Sequence, residues 1–337
     1  MKPLSGVPAI SARKLTQYFQ RFTRARILVL GDLILDHYIW GKVDRVSPEA
    51  PVPVVHVASE SYRMGGAANV YHNIMTLGGK AELCGVVGAD QVGKQFLAEI
   101  RRSSTYSPGV IIDASRPTIK KTRVVAHNQQ IVRFDVEQRH DISSQLAQKM
   151  VRHVASRLPD VACLVISDYA KGMITGELMK AIQKLAEQNG VPIVVDPKVE
   201  HMGYYEGVTV ITPNYLEAKQ AAGFLPTQDI PIEQIGVSLQ NRLRCQAVVV
   251  TRGEEGMSIF EHNGQSWTIP AVARQVYDVT GAGDTVVSTL ALAISAKASL
   301  PDAAVLANQA AGIVVGMVGT ATVTRAQLQE VLLHDCN

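Results

Sequence analysis

The chain has 337 residues, of which 47% are hydrophobic and 19% are charged, and its formal net charge at pH 7 is +3. This composition predicts a globular protein that can form one large α/β domain, and it argues against intrinsic disorder. The small net charge and the absence of like-charge blocks disfavour nucleic acid and anionic membranes as partners. We find no secretory signal and no apolar run of membrane-spanning length, so we expect a cytoplasmic protein.

The cysteines do not indicate a metal site or a disulfide framework. They are widely spaced and form no C-x-x-C pair; they are Cys84, Cys163, Cys245 and Cys336. Cys84 and Cys163 lie in apolar runs, where cysteine behaves as a small hydrophobic residue.

Short apolar strands alternate with helix-like segments along the chain. A strand is predicted from residue 26, a helix from residue 65, and further strands in the runs AELCGVVG, CLVIS, VPIVVD, VTVIT and AVVVT. Amphipathic segments such as residues 177–190 separate several of these strands. The alternation predicts an α/β fold with a doubly wound, mainly parallel sheet.

Two strand-rich segments, about residues 38–60 and 118–137, have no helices between their strands. They predict a small antiparallel sheet attached to the main domain as a lid. We therefore expect an N-terminal extension over residues 1–25 and a single domain over residues 26–337.

The stretch DVTGAGDT, residues 278–285, places a glycine turn directly before an apolar, helix-like run. Backbone N–H groups of Gly281, Ala282 and Gly283 at a helix N-terminus would form an anion site, above all for phosphate. A carboxylate there would repel a phosphate, unless Asp284 serves as a base toward a hydroxyl during phosphoryl transfer. The simpler interpretation, in which Asp284 only complements the helix dipole, fits these eight residues slightly better.

Polar residues follow several predicted strands, at the edge of the sheet where open α/β folds bind ligands. Asp32 and Asp36 follow the first strand and could accept hydrogen bonds from sugar hydroxyls. Lys171, in SDYAKG, and Lys198, in DPK, follow later strands and could bind phosphate. The elements TPNYLE and TRGEEG end two further strands.

With these motifs in order, the chain resembles the ribokinase or PfkB family of carbohydrate kinases from residue 26 to about residue 333. The resemblance rests on MGGAANV, on the N-x-x-E element from Asn214 to Glu217, on TRGEEG and on DVTGAGDT. It implies a ribokinase-like fold, ATP as the phosphoryl donor and Mg²⁺ as the cofactor.

The resemblance also implies roles for individual residues. Asp284 would be the catalytic base, and Gly281, Ala282 and Gly283 would form the anion hole for the γ-phosphoryl group. The nucleotide side would comprise Asn214, Glu217, Thr251, Gly253, Gly256 and Asn308. Glu217 would hold Mg²⁺ through water. For Asn308, a solvated position or one at the edge of the core is nearly as good an account as a contact with the nucleotide. The early glycine pair and its asparagine, Gly65, Gly66 and Asn69, would join Asp32 and Asp36 on the sugar side.

Two further expectations in this family concern cations and subunits. A monovalent cation near Asp278 and Thr280 occurs in the family but cannot be read from this sequence. The resemblance also implies a homodimer that is formed through the lid.

More narrowly, RVSPEAPVPVV, NQQIVRFD and SDYAKG resemble the family members that phosphorylate D-glycero-D-manno-heptose 7-phosphate on the way to ADP-heptose for the lipopolysaccharide core. Met64 stands where those kinases more often have proline. Many of them continue into a nucleotidyltransferase half with an H-x-G-H motif, which is not found here, so the resemblance implies a stand-alone kinase.

Charge placement agrees with an acceptor that already carries a phosphate. Lys171, Lys198 and the KKTR group (Lys120, Lys121 and Arg123) have no evident role toward ATP and suit a second phosphate. A solvated strand face is an equally good account of Lys121. Two alternatives stay open: a kinase for another sugar, sugar phosphate or nucleoside, and a catalytically silent regulator that binds ligands.

Overall fold

The structure is a computed structural model that describes residues 5–6, 9–102, 107–127, 129–272, 276–317 and 319–334. Cys336, residue 128 and residues 1–4 and 7–8 of the expected extension lie outside these ranges. The strands are β1 (Ser5–Gly6), β2 (Arg26–Gly31), β3 (Leu33–Val46), β4 (Pro53–Gly66), β5 (Lys80–Val87), β6 (Val110–Ile112), β7 (Ile119–Ala126), β8 (Gln129–Val136), β9 (Cys163–Ser167), β10 (Ile193–Asp196), β11 (Val210–Ile211), β12 (Ala247–Thr251), β13 (Met257–Glu261) and β14 (Ser266–Ile269).

The helices connect most of these strands. They are α1 (Ala12–Phe22), α2 (Ala67–Thr76), α3 (Gln91–Arg102), α4 (Ser144–Arg157), α5 (Gly176–Asn189), α6 (Tyr215–Ala221), α7 (Ile232–Leu243), α8 (Ala282–Ser295), α9 (Leu300–Val314) and α10 (Arg325–His334). Short 3-10 helices occur at Leu158–Asp160, Val199–Tyr205 and Gly253–Glu255. Across the described ranges, no helix combines the length and apolar character needed to cross a membrane.

The main sheet has the strand order β1-β14-β13-β12-β11-β10-β9-β2-β5-β6. The strands from β12 to β6 in this order run parallel, and β13 is antiparallel to both of its neighbours. Central strands such as β2 and β9 are buried almost throughout, as parallel strands covered on both faces must be. The expected α/β class with a mainly parallel, doubly wound sheet is confirmed.

Two hydrophobic clusters, one on each face, hold this sheet between helices. One cluster joins α1, α2, α8 and α9 to the sheet, and the other joins α4, α5 and α7. Adjacent residues of one strand enter different clusters: Leu28 and Leu30 of β2 belong to the second, Ile27 and Val29 to the first. This alternation follows from the period of two along a strand.

Helix α1 packs into the core before the first central strand begins. Leu15, Tyr18, Phe19 and Phe22 are its buried residues, spaced as on one face of a helix, and β1 pairs with β14 in parallel. Much of the segment expected as an extension is thus integral to the fold. The apolar spacing of residues 15–22 is the sequence signal that indicates this helix.

The second sheet has four strands in the order β4-β3-β7-β8. Its two hairpins, β3–β4 and β7–β8, are antiparallel, but β3 and β7 run parallel to each other. The expected purely antiparallel sheet was therefore wrong at this central pair. The chain leaves the sheet after β4 and passes through α2, β5, α3 and β6 before β7, and so long a crossover allows a parallel return.

Candidate active site

Asp284 lies in the first turn of α8, directly after the glycine turn. Gly281 is the N-cap residue with φ of 83°, and a Cβ on it would lie 2.8 Å from Nδ2 of Asn69, so only glycine fits this position. Among the described residues, no side chain caps the helix and none lies within 4 Å of a Cβ placed on Gly283. The N–H of Ala282 donates to the Val279 carbonyl at 3.2 Å. The turn thus presents a helix N-terminus to an open space, as the motif predicts.

Both carboxylate oxygens of Asp284 accept hydrogen bonds at 2.8 Å. Nδ2 of Asn69 donates to Oδ2, and the hydroxyl of Tyr169 donates to Oδ1. Asp284 is 3% exposed. Burial raises the pKa of Asp284 to about 6, while the two donors lower it and the Asp36 carboxylate raises it further. A carboxylate in this state is ionised near neutral pH and can accept a proton.

Asp32 supports the turn at residues 168–173 rather than facing a ligand. Its Oδ2 accepts the N–H groups of Tyr169 and Lys171, at 2.8 and 3.2 Å, and its Oδ1 accepts that of Met173 at 3.1 Å. Burial, followed by the Asp168 carboxylate, raises the pKa of Asp32 to about 6. The expected contact of Asp32 with a sugar hydroxyl therefore needs correction, because its acceptor capacity is largely taken by backbone N–H groups.

Asp36 lies at the junction of the two sheets, beside the early glycine pair. A Cβ on Gly65 would come within 2.2 Å of Oδ2 of Asp36, which explains the glycine there. Gly66, with φ of 58°, is the N-cap of α2, the helix that carries Asn69. Nη1 of Arg123 donates to Oδ1 of Asp36 at 2.5 Å. The structure thus brings the predicted sugar-side residues together, although the carboxylate of Asp32 is turned toward the 168–173 turn.

Three of the basic residues expected to hold a second phosphate are ion-paired on the acceptor-side face. Arg123 pairs with Asp36, Lys121 with Asp135 at 3.0 Å, and Lys171 with Glu137 at 2.7 Å. Side chains along β7 alternate between the two faces of the sheet, so the KKTR group is divided. Lys121 lies in register with Asp36 and Asp135, whereas Lys120 points to the opposite face. At Lys121 and Lys171 a phosphate would have to compete with the paired carboxylate, and Arg123 would offer it only the N–H donors that Asp36 does not use.

Lys198 also departs from its expected position. Its Nζ donates to Oε1 of Glu217 at 2.5 Å and lies 5.8 Å from the ring centre of Tyr169. Although burial opposes it, the Glu217 carboxylate raises the pKa of Lys198. The expectation that Lys198 binds the far end of the acceptor is therefore corrected, since it lies between Glu217 and the Asp284 region.

Asn214 and Glu217 form a capping box at the start of α6. Oδ1 of Asn214 accepts the Glu217 N–H at 2.9 Å, and Oε2 of Glu217 accepts the Asn214 N–H at 3.0 Å. Asn214 also forms a parallel bridge with Thr251 at the end of β12. The N-x-x-E element is thus a local helix start that links two strand ends of the site.

The carboxylates near the capping box are candidates for holding Mg²⁺. Among the described residues, no three His, Cys, Asp or Glu side chains form a metal cage. Magnesium in kinases needs only one or two carboxylates, with water and phosphate oxygens as the other ligands. Glu217 and Asp196 could meet this requirement, because they lie near each other and near Asp284: burial, the Asp284 carboxylate and, to a smaller extent, the Glu217 carboxylate raise the pKa of Asp196.

A cavity of about 560 Å³ opens beside the glycine turn. The predicted nucleotide residues Thr251, Gly253, Gly256 and Asn308 line it together with Ala282 and Gly283. Most of the other lining residues are apolar, among them Val272, Val276, Val286 and Val315. Nδ2 of Asn308 donates to the Pro270 carbonyl at 2.9 Å, so this side chain also fixes the wall. The volume and the mixed lining suit a nucleotide.

Asp278 folds the segment before the glycine turn onto the loop after α9. Its Oδ1 accepts the Thr280 N–H and its Oδ2 accepts the Gly319 N–H, each at 2.9 Å. A monovalent cation near Asp278 and Thr280 remains a prediction.

Two residues of the site were not identified from the sequence, namely Tyr169 and Asp196. Burial and the nearby Asp284 carboxylate raise the pKa of both well above their usual values. Each lies at or just after the carboxyl end of a parallel strand, β9 or β10, which was the available signal.

Curated relatives of this chain carry the name Bifunctional protein HldE. A protein of Citrifermentans bemidjiense named Bifunctional protein HldE is 42% identical over 316 residues, covering 94% of this chain and 65% of that protein. The protein of the same name in Geobacter metallireducens is 44% identical over 301 residues, covering 89% of this chain and 61% of the relative. The chain thus spans just under two thirds of the length of these curated relatives.

Solved structures share the fold at low sequence identity. Phosphofructokinase-2 from Escherichia coli, in complex with substrates and products, superposes with a TM-score of 0.75 at 19% identity, covering 92% of this chain and 99% of that one. Arabidopsis thaliana ribokinase, complexed with ribose and ATP, gives a TM-score of 0.70 at 18% identity, covering 91% and 98%. These neighbours confirm the ribokinase-like fold.

The family assignment comes from the sequence itself. Residues 24–327 match the family described as pfkB family carbohydrate kinase. The match extends from just before β2 to α10 and includes the glycine turn and Asp284. The expected enzyme class, an ATP-dependent carbohydrate kinase, is thereby confirmed, and the chain belongs to the PfkB family of carbohydrate kinases.

Proposed function

We propose that the chain transfers the γ-phosphoryl group of ATP to the anomeric hydroxyl of D-glycero-β-D-manno-heptose 7-phosphate, giving the 1,7-bisphosphate. The observation that carries the proposal is the placement of Asp284. It is buried at an open helix N-terminus, with the nucleotide-sized cavity on one side and Asp36, Gly65 and Asn69 on the other.

Asp284 would act as the general base. One of its carboxylate oxygens takes the proton of the anomeric hydroxyl, whose oxygen then forms a bond to the γ-phosphorus while the bond to ADP breaks. Tyr169 and Asn69 hold the carboxylate and keep it ionised. A contribution of about 10²- to 10⁴-fold is typical of such a base.

The remaining residues would stabilise the transferring group. The turn from Gly281 to Gly283 offers backbone N–H groups at the positive end of α8, and Lys198 supplies a cation nearby. Mg²⁺ held by Glu217 through water, with Asp196 close by, would neutralise phosphate charge when it is bound. Asn214, Thr251, Gly253, Gly256 and Asn308 would border the nucleotide.

The acceptor is proposed from sequence motifs. RVSPEAPVPVV, NQQIVRFD and SDYAKG resemble the heptose 7-phosphate kinases, and identity of 42% to a Bifunctional protein HldE over 94% of this chain supports that choice. The reaction would serve the synthesis of ADP-heptose in the cytoplasm.

We also propose that the four-stranded sheet is a lid that forms a homodimer contact. On the face away from Asp36, the side chains of His37, Tyr62, Thr122 and Phe134 lie side by side across the strands, and Val132 and Val136 follow along β8. Phe134 is 50% exposed. A second copy of the same sheet would cover the exposed residues of this face, Tyr62, Val132, Phe134 and Val136, and the strand edges.

ADP release against a panel of phosphosugars, sugars and nucleosides tests the proposed reaction, with the product identified by NMR. We expect turnover with D-glycero-β-D-manno-heptose 7-phosphate and a new phosphate on its anomeric carbon. Preferred turnover of a nucleoside or a hexose phosphate would contradict the acceptor. Binding of ATP and sugar without ADP release would contradict catalysis and favour a regulator.

A further inference from the structure

A second cavity, of about 480 Å³, lies beside the acceptor side of the site. Arg63, His72, Glu99, Arg102, Thr320 and Thr322 contribute its polar lining. No motif in the sequence pointed to it, and the proposed roles above do not use it.

The cavity is formed by the same strand and helix that carry residues proposed to bind the acceptor sugar. Strand β4 provides both Arg63 and Gly65, and Arg63 lies opposite Asp36 in the β3–β4 register, so the two side chains share a face. Helix α2 provides both Asn69 and His72, which lie one turn apart on its surface. A Cβ at Gly281 would lie 3.7 Å from Thr320. The cavity is therefore next to the acceptor, not on a remote surface.

The charged side chains that line this cavity favour an anion as its ligand. Arg102 pairs with Glu99 at 2.7 Å, but Arg63 has no carboxylate partner within the described ranges of the chain. One of its N–H groups donates to the Thr320 carbonyl at 3.1 Å, which leaves most of the guanidinium donors for a ligand. Burial lowers the pKa of His72, so its neutral ring adds an N–H donor without further charge.

Thr320, a lining residue of the cavity, has a buried hydroxyl without a partner in the described part of the chain. Thr320 is 8% exposed, and its Oγ1 has no hydrogen-bond partner among the described residues. Buried polar atoms in native proteins nearly always have a partner. Arg63 and Thr320 would together offer a fork of N–H donors and a hydroxyl to one group, which is the arrangement that recognises a phosphate.

We propose that this cavity is the subsite for the far phosphate of the acceptor, with Arg63 as its main binding residue and Thr320 as a hydrogen-bond donor. This rests on the proposed function in that the acceptor is a sugar phosphate. It also leaves the ion pairs of Lys121, Arg123 and Lys171 intact, because Arg63 can bind phosphate without displacing a carboxylate.

The first test measures phosphate binding and needs no turnover. With the nucleotide site filled by a non-hydrolysable ATP analogue and Mg²⁺, inorganic phosphate is titrated into the full chain by calorimetry. Arg63→Gln should weaken the affinity about tenfold or more, as expected for a charge-assisted contact, and Thr320→Val should weaken it several-fold. Arg101→Gln, one residue from Arg102 on α3 and outside the cavity lining, is the matched control and should bind as the unaltered chain does.

The second test asks whether the phosphate is the acceptor's own. Inorganic phosphate should compete with heptose 7-phosphate in steady-state kinetics, and Arg63→Gln should raise KM for that acceptor about tenfold or more with KM for ATP within about twofold. Non-competitive inhibition would identify a separate phosphorylated effector and overturn the proposal.

Unchanged phosphate affinity in both Arg63→Gln and Thr320→Val would also overturn it. Thr320→Val keeps the test valid if Arg63→Gln lowers Tm, since Oγ1 of Thr320 holds no protein partner in the described structure. If heptose 7-phosphate proves not to be a substrate, the calorimetric result still decides the subsite, and only the proposed acceptor fails.

Discussion

The hydroxyl of Tyr169 donates a hydrogen bond of 2.8 Å to Oδ1 of Asp284, joining the turn after β9 to the N-terminus of α8. Asp32 holds the backbone of this turn, including the Tyr169 N–H. The contact means that the environment of the proposed base depends on a residue 115 positions away.

Tyr169→Phe should move the acidic limb of the kcat–pH profile to higher pH. Asp284 acts as a base only when ionised, and its pKa of about 6 predicts that kcat falls as pH drops through that value. Removing the hydroxyl donor leaves the carboxylate less stabilised, which raises its pKa. Activity at pH 6.5 should fall about two- to tenfold, in line with one lost hydrogen bond, and recover at pH 8.

The other charged groups facing Asp284 are Asp36, Asp196 and Lys198, and none is altered by this substitution. Tyr204→Phe is the control, since the Tyr204 hydroxyl has no hydrogen-bond partner in the described part of the chain. An equal fall in kcat at all pH values would instead show that Tyr169 is needed only for folding or substrate binding.

Asp32→Asn should destabilise the protein rather than weaken acceptor binding. Asparagine keeps one carbonyl oxygen but replaces the other acceptor with an NH₂ group, so at least one N–H of the 169–173 turn loses its partner. We expect a loss of about 1–3 kcal/mol in the free energy of unfolding, measured by denaturant titration. Full stability with a large rise in KM for the acceptor would return Asp32 to the sugar-binding role predicted from the sequence.

Lys198→Met should lower kcat or raise KM for ATP, with KM for the sugar phosphate changing less than about threefold. Lys198 is paired with Glu217 and interacts with Asp284, which places it near the transferring phosphoryl group. Steady-state kinetics with each substrate varied separately distinguish an effect on ATP or on kcat from an effect on the sugar phosphate. A selective rise in KM for the sugar phosphate would support the far-phosphate role that the sequence suggested.

Phe134→Asp should convert the proposed dimer to a monomer. The substitution places a charge in the exposed apolar face of the four-stranded sheet, where an interface would have to bury it unpaired. Light scattering at micromolar concentration should give a dimer for the unaltered chain and a monomer for the variant. A monomer for both the unaltered chain and the variant would reject the proposed contact. Ile112→Asp, at an exposed site on β6 of the main sheet, is the control and should remain a dimer.

The main fold was predictable because its signals are local. Parallel strands such as β9 are short apolar runs, and turn residues such as Gly281 precede a helix in the sequence itself. The parallel pairing of β3 with β7 was not predictable in this way, because it depends on how two distant hairpins meet.

The sequence predicts the backbone of the site where a motif fixes it, but it does not predict the partners that side chains find across the fold, and the roles of the site residues stay predictions. Gly281 and Asp284 follow from their motif, but the pairing of Lys171 with Glu137 depends on a contact between residues from different elements. Arg63 was overlooked for the same reason, since only the placed neighbours reveal that it has no carboxylate partner among the described residues.

The central claim is that Asp284 removes the proton of the acceptor hydroxyl during phosphoryl transfer. Asp284→Asn keeps the size of the side chain and one acceptor for the Asn69 amide, but it cannot take up the proton. Single-turnover phosphorylation of heptose 7-phosphate at pH 8, with binding of ATP and acceptor measured by calorimetry, tests this directly. We predict a fall in rate of about 10²- to 10⁴-fold with both affinities nearly unchanged, whereas a fall of less than about tenfold would contradict the claim.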